Sequence, residues 1–187
     1  DIVPCSYSDL EAADLIVLVG SNLAWCHPVL FQRIQAEREK RDLKLVVIDP
    51  RRTSTAEVAD LHLPIAPDSD VALFNGLLTE LYKRGEIDSR FIFARTSGLA
   101  ATLIAASEWT LQKTAEATDL KPEVLRQFYD LFAANCKTVT MFSMGVNQSV
   151  SGTDKVNAII NCHLLTGRIG KAGAGPFSIT GQPNAMG

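Results

Sequence analysis

The sequence predicts an α/β fold, an open and mostly parallel sheet with helices on both faces. Three observations lead there. Residues 15–20 (Leu-Ile-Val-Leu-Val-Gly) and 44–49 (Lys-Leu-Val-Val-Ile-Asp) are short, continuous apolar runs rich in β-branched side chains. Runs of that length without polar alternation suit strands buried on both faces. The stretch between them reads as a helix. Pro28 suits its first turn, Leu30, Phe31 and Ile34 form an apolar stripe, and Arg38, Lys40 and Arg41 suit the negative end of its dipole. Strand, helix, strand in this order is a βαβ unit, which requires parallel strands and a right-handed crossover.

The other elements follow in order. Ahead of the first strand, Ser8 is the expected N-cap of a short helix, with Glu11 three residues on. Pro50-Arg51-Arg52-Thr53 leaves the second strand, residues 56–60 suit a short helix, and residues 61–65 a third, shorter strand. Pro67-Asp68-Ser69-Asp70 is a loop whose last residue can cap the next helix. That helix carries Val71, Phe74, Leu78, Leu81 and Tyr82 at helical spacing and stops at Gly85. Residues 88–135 read as helical in three or four pieces: one capped by Asp88, then 98–106, then 108–117, then one from Pro122. Their apolar residues suit packing and nothing else. Residues 137–142 form the next strand, and a helix from about 153 to 165 ends at Gly167.

A chain of 187 residues suits one domain, and 47% apolar with 21% charged residues is ordinary for a globular protein. The formal charge of -3 gives no electrostatic reason to expect nucleic acid. No apolar stretch is long enough to span a bilayer, and the start lacks the form of a signal peptide. A first residue Asp1 and a last stretch Ala-Met-Gly read as an excised segment of a longer protein. Cys5, Cys26, Cys136 and Cys162 include no Cys-x-x-Cys pair. Cys26–His27 and Cys162–His163 are neighbours that point apart, so the thiols read as buried and inert rather than as zinc ligands.

Residues 144–187 hold eight of the 12 glycines, interleaved with Asn147, Gln148, Gln182 and Asn184 and few charges. Glycine suits places where backbone must come close to a ligand, and amides suit a flat, polar, hydrogen-bonding one. The stretch is read as a ligand-lining one, too apolar for a disordered tail. In open parallel sheets, ligands sit at the carboxyl ends of strands near the switch in strand order. Gly20-Ser21-Asn22, Asp49–Arg52 and Met144–Gln148 each follow a strand, so the fold gathers them on one edge, with Asp68–Asp70 as candidates to join them.

Gly20-Ser21-Asn22 opens a helix; its N–H groups suit a phosphate, or it is a plain strand–helix turn. It is not the dinucleotide fingerprint, because Asn22 and Trp25 stand where that pattern needs glycine. Asp49 is placed to accept from a ribose or base, Arg51 and Arg52 either to pair with phosphate or simply to be solvated charges, and Asp70 either to accept from a guanine edge or simply to cap a helix. His27 is either a ligand contact or a structural residue beside Pro28. His62, in a strand, reads as packed or exposed. No catalytic triad, Walker loop or His/Glu metal box is present. The edge reads as a cofactor cradle whose chemistry belongs to the cofactor.

The residues Gly20-Ser-Asn-Leu-Ala-Trp-Cys-His-Pro28, Val-Ile-Asp49-Pro-Arg-Arg-Thr53, Pro67-Asp-Ser-Asp70 and Met144-Gly-Val-Asn-Gln148 resemble the molybdopterin oxidoreductases of the DMSO-reductase superfamily. The stretch from Leu-Leu-Thr-Gly167-Arg-Ile-Gly170 to Gly181-Gln-Pro-Asn184-Ala-Met-Gly187 is the most specific match, and is similar to the assimilatory, cytoplasmic nitrate reductases. The resemblance covers essentially the whole chain, most weakly residues 86–135. It implies a single α/β domain over residues 1–187 that binds molybdopterin guanine dinucleotide with molybdenum. A [4Fe–4S] cluster would be held elsewhere in the parent protein. By position, Gly20, Ser21, Asn22 and His27 would lie along the dinucleotide. Asp49, Pro50, Arg51, Arg52, Asp68, Ser69 and Asp70 would surround its guanosine. Met144, Gly145 and Gln148 would approach the pterin and the metal pocket, with Met144 nearest the catalysis, and Gln182 and Asn184 would line the pterin side. No metal ligand is expected within these residues. Family members often have glycine where this chain has Asp68. The implied reaction is reduction of nitrate to nitrite in the cytoplasm, with electrons from ferredoxin, flavodoxin or an NADH-linked subunit. The segment alone is expected not to turn over. Formate oxidation by the same superfamily is the alternative, and a non-catalytic α/β nucleotide-binding module is another.

Overall fold

A computed structural model describes residues 5–179. In chain order the elements are α1 (Tyr7–Ala12), β1 (Leu15–Val19), α2 (Leu23–Cys26), α3 (Pro28–Lys40), β2 (Lys44–Ile48), α4 (Ser54–Glu57), β3 (Leu61–Leu63) and α5 (Asp70–Lys83). There follow α6 (Ser89–Arg95), α7 (Leu99–Ala106), α8 (Leu111–Thr118), α9 (Pro122–Ala134), β4 (Thr138–Phe142), α10 (Met144–Asn147), α11 (Gly152–Leu165) and β5 (Gly175–Ser178). The strands form one parallel sheet in the order β3-β2-β1-β4-β5. The chain walks from β1 to one edge, then returns through the α5–α9 layer to β4 on the other side of β1. The switch point is therefore the gap between the carboxyl ends of β1 and β4.

The pleat divides the core in two. Leu15, Val17 and Val19 of β1 face a cluster with Leu73, Phe74, Phe128, Phe132 and Ile159 from α5, α9 and α11. Ile16 and Leu18 face the opposite cluster, with Leu10 of α1 and Leu30 and Ile34 of α3. This is why β1 and β2 read as unbroken apolar runs: each alternate residue has a helix layer to bury against. On the larger side Phe128 meets both Phe74 and Phe132 edge-on, with centroids 6.3 Å apart in each pair.

Several boundaries differ from expectation. Ser6, not Ser8, caps α1, because Asp9 accepts from the Ser6 N–H (2.7 Å) and closes the capping box from N3. Ser69 occupies the cap position before α5, and Asp70 is the first helical residue. Cys26 and Cys136 are exposed, and only Cys5 and Cys162 are buried thiols. Burial pushes Cys5 up to about 12, well above an ordinary thiol, and nearby Asp9 adds to the effect.

Residues 144–187 divide. The run 167–175 turns back to place β5 beside β4 at the sheet edge. A Cβ on Gly173 would lie 2.8 Å from Ala12, and one on Gly175 would lie 2.9 Å from Cys5 Sγ. These glycines make room for the chain's own backbone and thiol rather than for a ligand. β5 was not expected, since it opens Gly-Pro; at the sheet edge proline removes no needed ladder bond. Arg168 is buried: it donates to the Phe132 carbonyl (2.9 Å), and its guanidinium lies 4.4 Å from that ring's centroid. Among the described residues no helix is long and apolar enough to cross a membrane.

Candidate functional site

The strand ends meet at two glycines. Gly20, just past β1, has φ +55°, and Gly145, just past β4, donates its N–H to the Gly20 carbonyl at 3.0 Å. A Cβ on Gly20 would lie 2.8 Å from the Gly145 Cα, and one on Gly145 would lie 2.7 Å from the Gly20 Cα. Both positions exclude a side chain, and the backbone there forms a bare floor. Gly20 N–H also donates to the Ile48 carbonyl (2.9 Å), which fastens β2 to the same point.

Above this floor is a cleft of about 320 Å³. One wall is Gly20, Ser21 and Asn22. The Asn22 Oδ1 accepts from Thr55 Oγ1 (2.9 Å), which in turn accepts from the Ala24 N–H (2.9 Å), so α4 holds the turn in place. That leaves the Asn22 amide nitrogen as a donor. The Ser21 side chain is 3% exposed, and its Oγ has no hydrogen-bond partner among the described residues. A buried hydroxyl without a partner costs about 1–3 kcal/mol, so Ser21 is left open to a partner beyond the described residues. Ser21→Ala is therefore expected to leave the melting temperature unchanged or slightly higher, by up to about 1 kcal/mol in stability. It should weaken ligand retention. Scanning calorimetry beside ligand titration checks both halves.

The second wall is Asp49, Pro50 and Arg51. Asp49 is buried at the end of β2. Its Oδ1 accepts from the Arg51 N–H (2.9 Å), and its carbonyl lies 2.9 Å from His62 Nε2. The Arg51 guanidinium stands 3.6 Å from the same carboxylate and is 79% exposed, free to swing toward a ligand. The third wall carries Asp68 and Asp70. Asp68 sits at φ +66°, and its carboxylate accepts from Lys155 Nζ (2.7 Å) and Ser149 Oγ (2.9 Å). The Lys155 and Ser149 hydrogen bonds hold its pKa below the usual carboxylate value. Lys155 Nζ also lies 2.9 Å from Asp70 Oδ2. Burial opposes the lysine's charge, but the two carboxylates outweigh it and raise its pKa above the ordinary value.

Of the expected residues, Gly20, Ser21, Asn22, Asp49, Pro50, Arg51, Asp68, Asp70, Met144 and Gly145 line this cleft. His27, Arg52, Ser69 and Gln148 are not in its lining. His27 lies between α2 and α3. Ser69 turns its hydroxyl to the Ala66 carbonyl (2.6 Å). Gln182 and Asn184 fall outside the described residues. Sequence reasoning missed Lys155, Cys26 and Ser143 in the lining. For Lys155 a signal existed: it shares the buried stripe of α11 with Ile159 and Cys162, a spacing unusual for a lysine.

The cleft has two chemistries. Asp49, Asp68 and Asp70 make one end rich in acceptors, balanced by Arg51 and Lys155. The Gly20–Asn22 turn adds the Ser21 hydroxyl and the Asn22 amide nitrogen to the same lining. Such a lining, with carboxylates, cations and amide and hydroxyl groups around one cleft, fits a polar ligand that carries both donor and anionic groups.

The model of the molybdopterin oxidoreductase family matches residues 2–186. This chain belongs to the molybdopterin oxidoreductase family. A relative named nitrate reductase in Klebsiella oxytoca is 51% identical over 100% of this chain and 21% of its own length. The F420-dependent formate dehydrogenase subunit alpha of Methanocaldococcus jannaschii is 34% identical over 97% of this chain and 27% of its own. Acetylene hydratase from Pelobacter acetylenicus shares the fold, with a TM-score of 0.78 at 22% identity over 90% of this chain and 25% of that one. The chain thus spans about a fifth of the length of the Klebsiella relative. The family implies a molybdopterin cofactor, and a Ser21 hydroxyl without a partner among the described residues, beside a side-chain-free floor, is compatible with such a group.

Proposed function

We propose that this cleft holds the nucleotide arm of a molybdopterin guanine dinucleotide, and that the parent protein reduces nitrate to nitrite. The observation that carries the cofactor assignment is the pairing of a bare Gly20–Gly145 floor with a carboxylate pair, Asp68 and Asp70, in one cleft. The 51% identity to a nitrate reductase supports the substrate.

In this reading Ser21 and Asn22 donate to the diphosphate, and Arg51 neutralises part of its charge. Asp70 and Asp49 accept from the guanosine. Met144, 40% exposed at the cleft, covers the side toward the pterin. When bound, the molybdenum would supply two-electron oxygen-atom transfer, with Ser21, Asn22, Arg51, Asp49 and Asp70 holding its cofactor. The chain's own residues hold and orient the cofactor. The remaining features of this reading are a [4Fe–4S] centre held elsewhere in the parent, a ferredoxin, flavodoxin or NADH-linked donor, and a cytoplasmic location.

The formate dehydrogenase relative at 34% identity favours one second reading, formate oxidation. The two separate in one assay on the purified parent protein: nitrite formed with reduced viologen, and viologen reduced with formate, each normalised to bound molybdenum. Nitrite formation without formate oxidation is expected. Formate oxidation alone replaces the substrate assignment, and a parent without molybdenum removes the enzymatic reading altogether.

A further inference from the structure

Lys155 is out of pattern. It sits on the buried stripe of α11 and is 1% exposed. Lysines reach that depth only when paired, and a buried ion pair is weak support for stability, since apolar residues of the same size serve a core as well or better. Something other than packing accounts for it. Its Nζ bridges two carboxylates on the opposite wall, Asp68 Oδ1 at 2.7 Å and Asp70 Oδ2 at 2.9 Å. Asp68 is held in a left-handed conformation that favours glycine, so the contact fixes an otherwise unfavourable loop. With Oδ2 engaged, Asp70 Oδ1 is left without a hydrogen bond among the described residues, in a side chain that lines the cleft.

We propose that Lys155 is the positioning residue of the cleft: it clamps the 66–70 loop to α11 and turns Asp70 so that its carboxylate meets the adjacent N–H donors of a guanine edge. The inference rests on the guanine dinucleotide reading. A carboxylate accepts well from two neighbouring donors, while an adenine edge presents a lone pair to it and is repelled. Lys155 acts through Asp70 and does not itself touch the base.

The test is a double-mutant cycle on the purified parent protein, reading guanine nucleotide released per polypeptide on acid hydrolysis together with the melting temperature. The wild type is expected to release guanine nucleotide. Lys155→Met and Asp70→Asn each retain about tenfold less, the effect of losing one well-placed hydrogen-bonding group. Lys155→Arg is intermediate. In Lys155→Met/Asp70→Asn neither member of the buried pair carries a charge, so the melting temperature recovers toward wild type, while nucleotide content stays no lower than in Asp70→Asn. Losses that multiply, nucleotide content that follows the melting temperature across the set, or wild-type retention in Lys155→Met overturns the positioning role. A wild type that releases no guanine nucleotide sinks the cofactor reading itself, and this inference with it.

Discussion

Gly145→Ala is expected to destabilise the chain by about 3 kcal/mol, an overpacking cost near the top of the usual range because the colliding atoms are backbone. For a domain of this size that lowers the melting temperature by roughly 6–12 °C. The new Cβ would sit 2.7 Å from the Gly20 Cα and 2.9 Å from the Gly20 carbonyl oxygen. A flexible side chain could rotate away, but these atoms close β1 and accept the bond that fixes the loop. Relief requires β1 and β4 to part at their carboxyl ends, and that opens the cleft floor. Ligand retention should fall with stability. Gly85→Ala is the control: its φ is +77°, yet no heavy atom lies within 4 Å of the added Cβ. It should cost only the backbone strain, about 1 kcal/mol. Thermal unfolding of the two variants side by side separates steric exclusion from strain. If Gly145→Ala melts no lower than Gly85→Ala, the two glycines do not set the floor.

The sheet was legible because β1 and β2 are buried on both faces, so burial itself wrote the unbroken apolar runs. The switch point followed from the order of elements, and with it the meeting of residues 20–22, 49–51 and 144–145. What escaped was set by partners distant in sequence. β5 begins Gly-Pro, and only the open edge of β4 makes it a strand. Glycines 173 and 175 resemble ligand-lining residues in composition, but they accommodate α1 and Cys5, more than 160 residues away. Ser69 and Asp70 both suit a helix start, and nothing local tells which residue caps. In the fold Ser69 takes the cap position with its hydroxyl on the Ala66 carbonyl, while the Asp70 carboxylate lies 2.9 Å from Lys155 Nζ on α11. The site was read from its strand ends, where local signals are strong, and missed on α11, where a single cation inside an apolar stripe was the only clue.

That helix is also where acid should act. His163 of α11 is fully buried, its Nε2 2.8 Å from Thr140 Oγ1 of β4, and its ring packs edge-on to Phe132 at 5.5 Å. Burial, and then the positive charge of Arg168, depress its pKa to about 3. An unfolded chain titrates this imidazole near ~6.5. Below that pH the unfolded state takes up a proton that the native state refuses, so stability falls as pH falls from about 6.5 toward 3. Two pH units into that window, near pH 4.5, the loss is on the order of 3 kcal/mol. Asp68 and Asp88, whose pKa values are held low by their partners, lose their contributions only as carboxylates protonate, at the acid end of the range. The upper part of the window, pH 6.5 to 5, therefore isolates the histidine. His163→Gln keeps a polar group facing Thr140 but cannot titrate. It should be less stable than wild type at pH 7 and should lose much less on acidification. Urea unfolding of both chains from pH 7 to 4.5 measures this as a difference in slope of nearly one proton between pH 6 and 5. Parallel curves would mean that His163 is protonated in the fold or does not titrate when it unfolds. A steeper wild-type curve ties acid sensitivity to the contact between α11 and β4, the two elements that carry Lys155 and lead into Gly145.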